Sequence, residues 1–172
     1  LYASEEDLAE ASARYLEDPS WCTPYLPADN GPEMNQPPVP FDEGVTAQRS
    51  AMMLAKLAVA WRITGDEKYH QRLRVWLPVL ESYEPPRMRN IGGSPGLVSG
   101  HILLGMSIVY DVIYDQGDDE LEAAVLGVLL RQARRSYEDL ASMSHYAYEQ
   151  THLIIPVCGL GVVAMVLVDD YP

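Results

Sequence analysis

The sequence has few of the residues that mark several large classes of protein. Two of its 172 residues are cysteine, Cys22 and Cys158, which are too few for a disulfide framework. Its most apolar stretch, residues 153–168, is too short to span a membrane and is interrupted by Pro156 and two glycines. Basic residues number 12 against 25 acidic ones, and a net charge of −13 supplies no basic stripe for duplex nucleic acid. We therefore expect no nucleic-acid partner and no membrane-spanning segment.

The sequence does have enough apolar residues for a folded core. Hydrophobic residues make up 48% of the chain and charged residues 22%, a composition typical of globular proteins. A length of 172 residues fits one domain or part of a larger one. The chain begins at Leu1 with no initiator Met and no basic-then-apolar leader, so we expect that any signal peptide is removed or not included.

Apolar residues recur at helical spacing along most of the chain, and no stretch alternates as a strand would. Six helices are predicted, at roughly residues 3–17, 45–64, 67–83, 97–114, 118–138 and 151–168. Short turns at Gly65-Asp66 and at 116–118 join the middle four into two antiparallel αα-hairpins. Cys158 falls in the last and most apolar helix, which predicts a buried free thiol. The fold class is predicted to be all-α.

The connections between these helices are uneven in length. Residues 19–44, which are rich in proline, and residues 84–96 lack helical periodicity, and each stretch precedes the start of a helix. A fixed repeat of about 34 or 40 residues, typical of a solenoid, is missing. We therefore predict helical hairpins that form part of an incomplete α/α toroid. One partial domain spans 1–172, with an N-terminal helix and loop at 1–44 and the hairpins at 45–168.

The densest chemistry lies immediately before the last helix. Six hydrogen-bonding or titratable residues fall within eight positions there: His145, Tyr146, Tyr148, Glu149, Gln150 and His152. Polar residues at the start of a buried helix are typical of an active-site rim in an all-helical protein, and an ordinary loop before a core helix is the alternative. Upstream, Arg87 and Arg89 precede a Gly-rich turn and could supply donors to a negatively charged small substrate.

Three segments together resemble a known family: Ala-Trp-Arg-Ile-Thr-Gly-Asp-Glu-Lys-Tyr at 60–69, Ile-Val-Tyr-Asp-Val-Ile-Tyr-Asp at 108–115 and Tyr-Glu-Gln-Thr-His at 148–152. They are similar to the N-terminal toroid of the heparinase II/III and alginate lyase superfamily, over roughly residues 45–168. The resemblance implies a periplasmic or secreted polysaccharide lyase that acts by β-elimination on a uronic acid. Its substrate would be an anionic polysaccharide or oligosaccharide, alginate-like or glycosaminoglycan-like, and no cofactor is expected in this segment.

The same resemblance implies catalytic roles for two residues. His152 is the candidate base or carboxylate neutraliser, and Gln150 is the candidate that holds the substrate carboxylate through its amide. Thr151 stands between them where the family often has Asn, and its hydroxyl offers one donor where an amide offers two. A packing or capping role at the start of the helix is the alternative for His152.

Further contacts with the sugar are expected around this pair. Tyr146 and Tyr148 could line a sugar subsite, although tyrosine is also common in loop packing. Other substrate contacts are expected from Arg87, Arg89, Asn90 and His101. Ordinary burial in the core or at the surface is the alternative for His101, and no role is assigned to His70 or His145.

The family's tyrosine acid lies in a later hairpin, and a C-terminal β-sandwich domain follows its toroid. Neither is found in this sequence, so we expect the first half or less of a toroid, inactive without the remainder of its own chain. Two other functions stay open. A glycoside hydrolase or epimerase with a toroid fold is one, and hydrolysis would need two carboxylates across a cleft. A non-catalytic helical scaffold is the other, and it would present an exposed apolar groove to a partner protein.

Overall fold

The computed structural model describes residues 4–29, 31, 34, 44–84, 94–142 and 154–168. These residues contain six α-helices: α1 (Glu5–Glu17), α2 (Gly44–Thr64), α3 (Glu67–Ser82), α4 (Ser94–Ile113), α5 (Asp119–Ala141) and α6 (Ile154–Val166). Two 3₁₀ turns, Pro19–Trp21 and Thr23–Tyr25, follow α1. No strand occurs in the described ranges, and the predicted all-α class is confirmed.

Local sequence signals account for most of the helix ends. Ser4 caps α1, since its hydroxyl accepts from the Asp7 N–H at 3.1 Å and its own N–H donates to the Asp7 carboxylate at 2.8 Å. Several ends differ from prediction by two or three residues: α4 begins at Ser94 rather than 97, α5 continues to Ala141 rather than 138, and α6 spans Ile154–Val166 rather than 151–168. Pro95 is compatible with this early start of α4. The N–H groups of a helix's first turn have no partner within the helix, so the N–H that proline lacks costs no helical hydrogen bond.

Both predicted αα-hairpins are present. Gly65, with a φ of 65°, follows the end of α2 and donates its N–H to Trp61 O at 2.7 Å, so that α3 turns back along α2. Asp115 and Gly117, with φ of 54° and 81°, reverse the chain between α4 and α5. The two helices of each hairpin are therefore antiparallel neighbours.

The second helices of the two hairpins run in the same direction. Arg74, in the middle of α3, donates from Nε to Oδ2 of Asp118, just before α5, at 3.0 Å. Arg131, in the later part of α5, donates to Leu80 O, near the end of α3, at 3.2 Å. Since α3 and α5 are parallel, their antiparallel partners α2 and α4 are parallel to each other as well.

Helix α6 extends this arrangement beside α4. Ile155 packs on Gly100, and Gly159, one turn later, packs on Leu103, so α6 and α4 run in the same direction. Helix α4 contacts both α2 and α6, while α3 and α5 contact each other behind them. Apart from α1, which packs on α2, the described helices thus form two layers, with α2, α4 and α6 in one layer and α3 and α5 in the other.

The core lies between the two layers. Helix α3 buries the five residues that its helical spacing predicts: Tyr69, Leu73, Trp76, Leu77 and Leu80. The most fully buried large side chains of the other helices include Leu54, Leu57, Ile102, Leu103, Met106, Val125 and Leu129. Burial of one such side chain stabilises the fold by roughly 1.5–3 kcal/mol, so the layers are held together chiefly by this apolar contact.

Helix α6 is apolar on every side but is packed on only one. Its exposed residues recur at helical spacing, and we call them the open face of α6: Ile154, Val157, Cys158, Gly161, Ala164 and Met165. The prediction of a buried Cys158 thiol was therefore wrong, and Cys22 is the buried thiol. An all-apolar helix carries no polar stripe to indicate which side meets water. Among the described residues, neither α6 nor any other helix is long and apolar enough to cross a membrane.

Candidate functional site

Because of the directions in which the helices run, five helix termini lie at one end of the molecule. Helices α2, α4 and α6 begin there, and α3 and α5 end there. We call it the loop end and define it by the residues that meet the connections: Gly44, Glu84, Ser94, Ser142 and Ile154. The opposite end carries the two short hairpin turns, and we call it the turn end. The stretches 85–93 and 143–153, which hold most of the predicted site residues, are both attached to the loop end.

Seven of the eight predicted site residues lie outside the described residues: Arg87, Arg89, Asn90, Tyr146, Tyr148, Gln150 and His152. The structure locates the points at which their segments attach. Glu84 and Ser94 flank the first three, while Ser142 and Ile154 flank the last four. Because α3 packs on α5 and α4 packs on α6, the two pairs of attachment points belong to neighbouring helices.

His101 is the predicted site residue that the structure describes. It lies half-buried two turns into α4, and its Nδ1–H donates to Leu97 O at 2.7 Å. A carbonyl oxygen only accepts, so Nδ1 carries a hydrogen, and Nε2 of the neutral ring is then a hydrogen-bond acceptor. Residues 97, 101, 104, 108 and 111 are all half-buried and form the least buried side of α4. His101 therefore has a geometry that permits contact with a ligand on this side of the helix.

Polar contacts between α3 and α5 hold the loop end together. Gln132 Nε2 donates to Tyr83 O at 3.1 Å, and Arg135 Nη1 pairs with Glu84 Oε2 at 3.1 Å. Burial raises the pKa of the Tyr83 hydroxyl, and the nearby Arg135 guanidinium opposes this rise only in part. The residue from which 85–93 departs is therefore fixed against α5.

Two buried polar atoms near this end have unused hydrogen-bonding capacity. Gln132 and Ser136 are 2% and 1% exposed, yet Gln132 Oε1 and Ser136 Oγ make no hydrogen bond within the described part of the chain. A buried polar atom without a partner typically costs roughly 1–3 kcal/mol, so such atoms call for a physical reason. The described helices at the loop end thus bury an amide oxygen and a hydroxyl group that form no hydrogen bond with one another or with the rest of the described residues.

Sequence reasoning missed a polar cluster at the turn end. The Asp118 carboxylate caps α5 and also contacts His70 Nε2 at 2.6 Å and Arg74 Nε at 3.0 Å. His70 stacks on Trp61 with ring centroids 4.4 Å apart. Burial raises the pKa of Asp118, but hydrogen bonds from Arg74, a backbone N–H and His70 together outweigh burial and hold it below its ordinary value. The cluster joins the two hairpins, and we assign it a structural role.

Part of this cluster has a signal in the sequence. Asp118 stands immediately before an acidic helix start, which is typical of a capping residue, and His70 and Arg74 are four positions apart on one face of α3. Their pairing has no local signal, because His70 and Asp118 are 48 residues apart. Only the packing of one hairpin on the other brings them together.

Comparisons with known proteins do not extend these observations. No model of a known protein family matches the chain, and no curated protein matches it. Within the described ranges, no three His, Cys, Asp or Glu side chains are grouped so that they could hold a metal ion.

Proposed function

We propose that this chain is part of a polysaccharide lyase that cleaves alginate-like or glycosaminoglycan-like substrates by β-elimination next to a uronic acid. The supporting observation is the loop end, where the segments that hold His152 and Gln150 and the segment that holds Arg87 attach to neighbouring helices. A site for an extended anionic substrate needs donors from several elements that meet on one side of a fold. The two layers of parallel hairpins also fit the proposed incomplete α/α toroid.

The proposed chemistry follows from the weak acidity of the sugar C5 proton. Its removal leaves enolate-like charge on the carboxylate, so donors must hold that carboxylate as the charge develops. Gln150, with Arg87 and Arg89, would supply these donors. His152 would remove the proton as a base or neutralise the carboxylate, and either role is open to an imidazole near neutral pH.

The remaining predicted residues would contact the sugar rings. Tyr146, Tyr148 and Asn90 would line the subsites beside the reacting uronate. His101 lies about 10 Å along α4 from Ser94, at the usual helical rise. Its Nε2 could accept a hydroxyl hydrogen from a sugar bound along the least buried side of that helix.

We also propose that the remainder of the protein's own chain covers the open face of α6. Ile154, Val157 and Met165 are 58%, 52% and 57% exposed there. A further helix on this face would repeat the contact that α6 makes with α4, and burial of these three side chains would stabilise it. The proposed tyrosine acid would come from the same remainder. The complete protein would work in the periplasm or outside the cell, where such polysaccharides occur.

The lyase proposal is tested on the full-length gene product with alginate, heparan and chondroitin, by the ultraviolet absorbance of the unsaturated uronate. We expect His152→Ala to lower kcat by about 10²–10⁴-fold, the contribution typical of general acid–base catalysis. His145→Ala is the matched control, because it makes the same change in the same segment at a residue with no assigned role. Wild-type activity in His152→Ala would overturn the assignment.

A non-catalytic helical scaffold is the second candidate, and the open face of α6 is the observation that favours it. An exposed apolar helix face of this kind is typical of a protein-binding surface. A full-length protein that cleaves none of the three substrates and loses a partner protein on Met165→Glu would support the scaffold. The lyase proposal expects Met165→Glu to destabilise the full-length protein itself, because the face would then lie inside one chain.

A further inference from the structure

His101 lies on the side of α4 between the contacts that this helix makes with two neighbours. Gly100 packs on Ile155 at the start of α6, and Gly105, just over one turn later, packs on Ala51 of α2. Successive residues of a helix point about 100° apart, which directs the His101 side chain between these two contacts. Neither α6 nor α2 therefore covers His101, in agreement with its half-buried state.

The first turn of α6 lies level with His101. A Cβ added at Gly100 would lie 2.7 Å from both Ile155 C and Pro156 N, so the backbones of the two helices touch at this level. His152 stands three residues before Ile155, and a fully extended chain spans at most about 3.6 Å per residue. By chain length alone, the Cα atoms of His152 and Ile155 are within about 11 Å of each other. The contact therefore places His101 close to the point from which the segment that holds His152 departs.

The hydrogen bond to Leu97 determines which nitrogen the His101 ring presents to a ligand. Nδ1 donates to Leu97 O at 2.7 Å, so in the neutral ring the lone pair is on Nε2. This Nε2 forms no hydrogen bond within the described residues and is not among their fully buried polar atoms without a partner. In His70, by contrast, Nδ1 and Nε2 contact the carboxylates of Glu67 and Asp118 at 2.8 and 2.6 Å. Of the two described histidines, His101 is thus the one with a ring nitrogen available to take a proton.

Elimination at a uronate needs two groups with different chemistry. One group donates to the sugar carboxylate as negative charge develops, and the other takes the C5 proton along the direction of the C5–H bond. Gln150 and His152 are two residues apart in one segment, so both can serve the same carboxylate. A base on a neighbouring helix can approach C5 from a different direction, and His101 of α4 meets this requirement.

We propose that His101 is the base of this elimination and that His152 neutralises the uronate carboxylate. The inference rests on the proposed lyase function and gives its two histidines separate roles. Nε2 of His101 takes the C5 proton, the electron pair of the C5–H bond forms the double bond between C4 and C5, and the bond from C4 to the leaving oxygen breaks. The leaving oxygen takes a proton from the tyrosine acid proposed for the remainder of the chain.

The test makes one substitution at each histidine of the full-length gene product and follows the ultraviolet absorbance of the unsaturated uronate. Glutamine can donate to a carboxylate but cannot take up a proton. We therefore expect His101→Gln to lower kcat by about 10²–10⁴-fold with little change in KM. His152→Gln should retain at least about ten times the kcat of His101→Gln, because it keeps a donor and removes no base. His145→Gln is the matched control and should retain the wild-type kcat.

Two results would overturn the assignment while leaving the lyase function in place. A raised KM with an unchanged kcat in His101→Gln would make His101 a sugar contact, since only binding is then lost. A kcat that is lower in His152→Gln than in His101→Gln would make His152 the base. Circular dichroism checks that the variants are folded, and His101→Asn gives the same reading if His101→Gln is not. If the wild-type protein cleaves none of the three substrates, the lyase proposal fails and both roles fail with it.

Discussion

The contact between α4 and α6 can be tested with one substitution at Gly100. A Cβ at this position would lie 2.6 Å from Ile155 Cγ2 and 2.7 Å from two backbone atoms, Ile155 C and Pro156 N. Backbone atoms cannot rotate away as the end of a side chain can, so Gly100→Ala requires the two helices to separate. Overpacking of this kind costs typically about 1–3 kcal/mol.

Gly127→Ala is the matched control for this change. Gly127 also lies inside a helix, but a Cβ there would meet no atom within 4 Å. Replacing glycine by alanine inside a helix favours the helix by about 1 kcal/mol in both variants, so this gain cancels when the two are compared. We expect Gly127→Ala to be more stable than Gly100→Ala by the steric cost alone, about 1–3 kcal/mol.

The measurement is urea unfolding of both variants and the wild type, followed by circular dichroism at the helical band. For a chain of this length, 1 kcal/mol corresponds to a shift in Tm of about 2–4 °C, so thermal unfolding gives a second reading. Equal stability of Gly100→Ala and Gly127→Ala would refute the close contact of α6 on α4. The parallel direction of these helices, and with it the position of Ile154 at the loop end, would then lose its support.

Two further predictions concern the turn end and the thiols. The pKa of Asp118 is held below its ordinary value of 3.8 in the folded state, so its contribution to stability is present above that pH and is lost as the pH falls through the folded-state pKa. Asp118→Asn keeps a capping side chain but removes the negative charge. It should therefore lower the free energy of unfolding at neutral pH, and its difference from the wild type should shrink in acid. A difference that does not depend on pH would refute the electrostatic role. A disulfide reagent should modify one thiol per folded chain rapidly, and Cys158→Ser should remove this fast reaction because Cys22 is 3% exposed. A fast reaction that persists in Cys158→Ser would show that Cys22 is accessible.

Much of the helical structure could be read from local patterns. Ser4 with Asp7 begins α1, Gly65 ends α2, and Asp118 begins α5, because each of these signals acts through hydrogen bonds or backbone angles within a few residues. The five core residues of α3 follow from helical spacing alone, since its other faces are mostly polar. The short turns then require antiparallel hairpins whatever the rest of the chain does.

The candidate site was predictable only as a set of residue types. His152, Gln150 and the residues around them are of the types that the proposed uronate elimination would use, but sequence spacing cannot show that 85–93 and 143–153 attach to neighbouring helices. That proximity of attachment points comes from α3 and α5 running in parallel, with Gln132 and Arg135 bonded to the end of α3. His101 was predicted as a substrate contact from its position after a loop. Its tautomer could not be predicted in this way, because it is set by the hydrogen bond to the carbonyl of Leu97.

Residue order alone was enough for the all-α class, the hairpins and the buried face of α3, since each depends on contacts between residues close in the chain. Tertiary structure decided which side of an all-apolar helix meets water, and therefore that Cys158 is exposed. It also decided that Cys22, in the segment after α1, is buried. Packing brings His70 to Asp118, across 48 residues, and the start of α6 to Gly100, next to His101. These features depend on the close contact of one helix with another, which is governed by shape and burial over long sequence separations and leaves no periodic signal in the sequence.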